Sequence, residues 1–299
     1  MRTTTYSDTG LSFATFLSAS AWGMYWFPLR IIESVGVSSS WSVVIINACP
    51  LLLLIPLFII TKNIKLNFKP ILFSALMIGL AITLYANALV ETTVIRATLL
   101  FYLNPIWGTL IGLLYLSEKL TKARIISILV AMLGLICLLS EGENPKYPLN
   151  IGDFYGLLSG LFWVIGAASL NRGKNIKILP LTTFIYIATT FFSLLFAVII
   201  YNDETPDFSL VVSVLPSSFV WSVLIFLPSF MIIFKVSQVL FPGRVGLLMM
   251  SEVIVAMISA SLLIPAENMI TLQWFGAFAI VGAGFIEVLF GYTKKSQLT

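Results

Sequence analysis

Histidine is absent from this sequence, and cysteine occurs only twice, at Cys49 and Cys137. Both cysteines sit within apolar runs and read as small hydrophobes, because free cysteine is commonly buried. Without histidine or a cysteine cluster, transition-metal sites and imidazole-based acid–base catalysis are excluded. Charge is scarce too, at 10% of residues. There is no GxSxG, HExxH, GxGxxG or P-loop pattern, so nothing points to a serine hydrolase, a zinc protease or a nucleotide site. No cofactor and no metal are expected.

What is present is apolar. The 299 residues are 59% hydrophobic, more than a soluble domain of this size needs. A bilayer core about 30 Å thick takes roughly 20 apolar residues per helix. Within it every backbone N–H and C=O must be paired inside its own segment. The apolar runs are continuous and do not alternate, which favours helices over a transmembrane barrel. Ten spans are expected near 12–31, 42–61, 70–90, 95–116, 123–140, 152–171, 180–201, 217–240, 245–265 and 271–291. Arg2 before "LSFATFL" and "SASA" has the outline of a secretory signal, but the apolar run continues through "WGMYWFPL" and reads as a retained first helix.

The formal charge of +4 does not imply a nucleic-acid partner, because the basic residues fall between the apolar runs. Lys and Arg so placed set orientation. With the N-terminus in the cytoplasm, only Arg30, Arg96 and Lys146 fall outside. Lys235 lies in a span, and all the others face inward. Both termini are therefore expected in the cytoplasm, with the chain in the inner membrane of the cell.

The sequence also repeats. "IRATLLFYLNPIWGTLIGLLYLSEKLT" (95–121) aligns with "GRVGLLMMSEVIVAMISASLLIPAENMIT" (243–271), which pairs Arg96 with Arg244, Asn104 with Glu252 and, after one insertion, Glu118 with Glu267. A fainter echo pairs "LSASAWG" (17–23) with "LSGLFWV" (158–164), and so Trp22 with Trp163. The expected units are 12–140 and 152–291, with five spans each. An odd number of spans forces the second unit to enter the membrane upside down. The expected fold is thus an all-α integral membrane protein of ten transmembrane helices in two inverted five-helix repeats. Secondary transporters are commonly built in this way, with the substrate site near mid-membrane between the repeats.

The "R-x-x-L-L-x-x-L-N-P" run at Arg96–Pro105, "LSEKLT" at 116–121 and the second copy at 244–271 give the chain a family resemblance. It resembles the drug/metabolite transporter superfamily, in its ten-helix EamA branch. The resemblance implies a secondary transporter of small organic metabolites, often an exporter of amino acids and related compounds. A monomer or weak dimer is expected. An importer of a nucleoside, sugar-derived or osmolyte-type solute is the alternative within transport. An intramembrane enzyme acting on lipid-linked substrates would need a nucleophile and an acid–base set clustered at one depth, which Glu252 alone does not supply.

Glu252 stands out. Eight residues from Arg244, it is about 12 Å deep at 1.5 Å per residue, where an ionised carboxylate is costly unless it faces a cavity, a partner or water. It is a candidate to contact substrate, for example an ammonium group, or to carry a coupling proton. The alternatives are a structural pairing, for instance with Lys235, or a lipid-facing side chain in a misjudged span. Asn104 is its repeat mate. Among the aromatics, Trp26 and Phe27 fit an interfacial belt. Trp22, Trp163, Tyr85 and Tyr102 lie deeper, and either pack between helices or line a substrate pocket. The GxxxG spacings at 108–112 and 156–160 suit close helix packing, and Pro50, Pro105 and Pro228 mark kinks or hinges.

Overall fold

The computed structural model describes residues 8–61, 68–103, 106–107, 111, 122–139, 148–172, 176–237 and 242–290. Among the described residues the regular structure is entirely helical. The chain runs through α1 (Asp8–Trp22), α2 (Trp26–Ser34), α3 (Ser39–Ala48), α4 (Leu51–Ile60), α5 (Phe68–Glu91) and α6 (Val94–Phe101). It continues through α7 (Lys122–Leu139), α8 (Ile151–Arg172), α9 (Ile178–Leu195), α10 (Phe208–Phe219), α11 (Leu227–Ser237), α12 (Pro242–Leu263) and α13 (Thr271–Phe290).

Several of the expected spans are interrupted helices. The first is broken at residues 23–25, where Met24 and Tyr25 donate to the carbonyls of Ala21 and Trp22, three residues back. The second is broken at Cys49–Pro50, because Pro50 has no N–H to continue the ladder. The eighth span begins earlier than the sequence reading places it. The helix starts at Phe208 and passes through Pro216 into a π-helical turn at Val220–Phe226. The apolar run after Asp207 continues the ladder, and Pro216 removes only one of its donors. A second π-helical turn, Phe196–Ile200, extends α9.

Five segments are long and apolar enough to cross a bilayer: Ser39–Ile60, Ile71–Glu91, Ile151–Leu170, Ile178–Ile200 and Phe208–Val236. The shortest, of 20 residues, spans about 30 Å at 1.5 Å per residue, which matches the hydrocarbon thickness. Three shorter apolar helices, Ile125–Cys137, Leu248–Leu263 and Thr271–Ile286, accompany them. Large apolar side chains are exposed along the outer helices, among them Leu133 and Ile136 on α7 and Phe275 and Phe278 on α13. Such a surface suits lipid and not water.

Helices from the two halves of the chain interleave. α6 packs on α8, and α12 packs on α1. α5 lies along α8, and α11 along α1. α7 pairs with α13, α3 with α9, and α6 with α12. Small residues allow the closest crossings. A Cβ added at Gly23 would come within 2.6 Å of the Glu252 carbonyl oxygen and 2.9 Å of the Val255 Cβ. Gly160 lies in the same way against the Phe101 carbonyl oxygen, with Gly156 against Ala97. The 156–160 pair therefore serves packing, while Gly108, Gly112 and Pro105 lie outside the described residues.

Candidate functional site

Glu252 lies near the middle of α12, ten residues from Pro242 and eleven from Leu263. It is only 3% exposed, so its side chain does not face lipid. Burying a carboxyl group among Met, Val and Ala is unfavourable unless its oxygens find partners. Tyr102, just past the end of α6, donates its hydroxyl to Glu252 Oε2 at 2.5 Å. Tyr85, on α5, turns toward the same carboxyl group and shares a hydrogen bond with Thr98 Oγ1 at 3.0 Å. Lys235 is exposed and forms no ion pair with Glu252.

The Tyr102 hydroxyl also lies 3.1 Å from the carbonyl oxygen of Met249. A tyrosine has a single proton to donate. When Glu252 is ionised, that proton bonds to the carboxylate. When Glu252 is protonated, its own O–H can donate to Tyr102 Oη, which then donates to the Met249 carbonyl. Both charge states thus keep the bond between Tyr102 and Glu252 without a change of fold.

Glu252 borders a narrow cavity of about 20 Å³, little more than one water needs, which must widen to admit a larger solute. The aromatic walls come from both halves: Trp22 at the end of α1, Tyr85 on α5, Phe101 at the end of α6 and Trp163 on α8. Ala81, Ile82 and Met249 complete the lining. Behind the tryptophans stands an aromatic layer from α11 and the π turn before it. The Trp22 ring is 5.3 Å from Phe226 and 5.6 Å from Phe230, while Trp163 stacks on Phe234 at 6.3 Å. Contacts of this kind fix ring orientation.

Of the residues singled out from sequence, Glu252, Trp22, Trp163 and Tyr85 line the cavity, and Tyr102 holds the carboxyl group. Asn104 lies outside the described residues. Sequence reasoning missed Phe101, Met249, Ala81 and Ile82. A signal for two of them existed, since the repeat alignment that pairs Asn104 with Glu252 also pairs Phe101 with Met249. Trp26 does not sit in an interfacial belt. It is buried, and its indole N–H donates to Ser259 Oγ at 3.1 Å, tying α2 to α12. Asn47 accepts from the Tyr25 hydroxyl at 2.8 Å and so links α3 to the turn between α1 and α2.

A second polar group lies toward the end of the molecule where α6 and α8 begin. Asp153 takes the Arg96 guanidinium at 2.7 Å, both side chains being buried, and also accepts from Thr92 Oγ1 at 2.9 Å. Glu267, in the short turn between α12 and α13, accepts from the backbone N–H groups of Val94 and Ile95 and so caps the start of α6. Burial pushes the Glu267 carboxyl up from its ordinary value, and the two N–H bonds and the nearby Arg30 only partly offset this.

Residues 9–140 match the EamA-like transporter family. A solved crystal structure aligns over 94% of this chain and 96% of its own, with a TM-score of 0.59 and 13% sequence identity. At that identity the likeness concerns the fold alone. No curated protein matches the chain.

Proposed function

We propose, from the match of residues 9–140 to the EamA-like transporter family, that the protein is a secondary transporter working by alternating access. On this reading it moves small organic metabolites across the cytoplasmic membrane and exports amino acids or similar amphipathic compounds. It does so as two inverted five-helix repeats, 12–140 and 152–291. Three features support the repeat reading. The helix contacts come in mates that an exchange of halves would produce, α6 on α8 with α12 on α1, and α5 on α8 with α11 on α1. The pairs α7 with α13, α3 with α9 and α6 with α12 would map onto themselves. The distribution of Lys and Arg places both termini in the cytoplasm under the inside-positive bias.

The observation that carries the transport reading is the cavity itself. A buried carboxyl group, hydrogen-bonded by a tyrosine and walled by aromatic rings, stands where helices of both halves meet. In this role Glu252 binds a substrate ammonium or carries the coupling proton. Tyr102 donates to its carboxyl group when the site is empty. Rocking one half against the other would open the space between α1, α5, α6, α8 and α12 to each side in turn.

Solute flux into proteoliposomes across an imposed pH gradient tests this, with aromatic, aliphatic and cationic amino acids, the corresponding decarboxylated amines and nucleosides as the panel. One class is expected to move. Glu252→Gln should lose gradient-driven flux by at least tenfold; retained solute exchange would assign the carboxyl group to proton coupling, and equal loss of both modes would assign it to substrate binding. A wild-type protein that moves no solute would sink the transport reading, and a fully active Gln variant would remove Glu252 from the coupling step.

A further inference from the structure

We propose that the cavity is selective for an organic cation, an ammonium group on an apolar and preferably aromatic body, and discriminates against solutes that also carry a carboxylate. The inference rests on the transport reading above, and among the small amphipathic metabolites of that reading it selects amines in place of amino acids. The lining offers one carboxyl group, that of Glu252, and four aromatic rings. A carboxylate has about four acceptor sites. The Tyr102 and Tyr85 hydroxyls occupy at most two of them and leave room for an ammonium. Ring faces carry negative potential and attract a cation brought over them, and Trp22, Tyr85, Phe101 and Trp163 surround the space beside Glu252.

What the site lacks is equally informative. A zwitterionic amino acid needs a cation, or several N–H donors, for its carboxylate, because an unpaired buried charge is costly. Among the described residues the only buried cation is Arg96, and its guanidinium is held by Asp153 at 2.7 Å. Arg30 is bonded to Glu33 at 2.9 Å, and Lys122, Lys177 and Lys235 are exposed. The Tyr102 proton is taken by Glu252 or Met249, and the indole N–H groups of Trp22 and Trp163 in the described lining are neutral donors that bring no charge to balance a carboxylate. Backbone polarity points the same way. Trp22 and Phe101 are the last residues of α1 and α6, and helix C-termini carry partial negative charge. The α2 N-terminus follows at Trp26, which does not line the cavity.

The test uses three solutes with one aromatic body: phenethylamine, phenylalanine and 3-phenylpropionate. Each is titrated into the purified full-length protein by isothermal calorimetry. Phenethylamine is expected to bind at least tenfold tighter than phenylalanine, with no binding of phenylpropionate. Glu252→Gln should weaken phenethylamine by at least tenfold, and Glu252→Asp should restore part of the loss. If the Gln variant fails to fold, the wild-type comparison decides alone. Phenylalanine binding as tightly as the amine, or no binding by any of the three, overturns the inference. Flux of the same solutes, measured above protein-free vesicles, separates this failure from that of the transport reading. Movement of phenylalanine but not phenethylamine keeps the transporter and overturns the cation site. Tight, Glu252-dependent amine binding without flux keeps the cation site and overturns transport.

Discussion

Tyr102 has one proton and two acceptors within reach, the carboxyl group of Glu252 and the carbonyl of Met249, both on α12. A side chain so placed follows the charge of its neighbour at little cost, which is what a residue beside a proton or cation site needs. Glu267 is a contrasting carboxyl group, buried at a loop where burial outweighs its two backbone donors and raises its folded-state value. The folded state then holds a proton that the unfolded chain releases near the ordinary value of 4.5. Stability from this group is full below that value and declines as pH rises through the folded-state value. Glu267→Gln cannot titrate, so the melting temperature of wild type minus that of the variant should fall as pH is raised from about 4.5 toward neutrality. A difference that is flat with pH would contradict this assignment. Glu252 was legible in the sequence because a carboxyl group amid Met, Val and Ala has to be satisfied somehow. Ala81, Ile82 and Met249 were not, because an aliphatic residue facing a cavity has the same composition as one facing lipid.

At the scale of helices, the starts of α6 and α8 are joined by the buried Arg96–Asp153 pair, to which Thr92 adds a hydroxyl. Removing one partner of a buried pair leaves an uncompensated charge and typically costs about 3–5 kcal/mol. Arg96→Met alone and Asp153→Leu alone should each lower thermal stability in detergent by that order. The double variant should recover most of the loss, because no charge is then stranded. Additive losses would show that the two side chains act through separate partners. Helix breaks were only partly readable. Pro50 marks one as proline chemistry predicts, but Pro216 lies inside a continuing helix, and the break at 23–25 has no proline at all. That second kind lies where Trp22 packs on Phe226 and Phe230 and Gly23 on the backbone of Glu252, contacts between distant parts of the chain that no local residue announces.

For the whole molecule, the apolar runs carried the all-helical membrane character, because a bilayer fixes helix length, and the placement of Lys and Arg yields an orientation that labelling tests. Lys177 and Glu204 flank the α9 segment at opposite ends and are both exposed. In a background with Cys49→Ala and Cys137→Ala, a membrane-impermeant maleimide added to intact cells should label Glu204→Cys. It should reach Lys177→Cys only after the cells are opened. The opposite pattern would invert the orientation, and labelling of both from outside would end the spanning assignment of α9. The close crossing at Gly23 has a consequence for how such a protein can change. Its hydrogen faces the backbone of Glu252 with no space for a methyl group, so any larger residue there must lift α12 and carry the carboxyl group with it. Position 23 is absent from the cavity wall. A mutant library restricted to that wall would therefore leave out a site from which selection could retune solute preference without altering a single lining side chain.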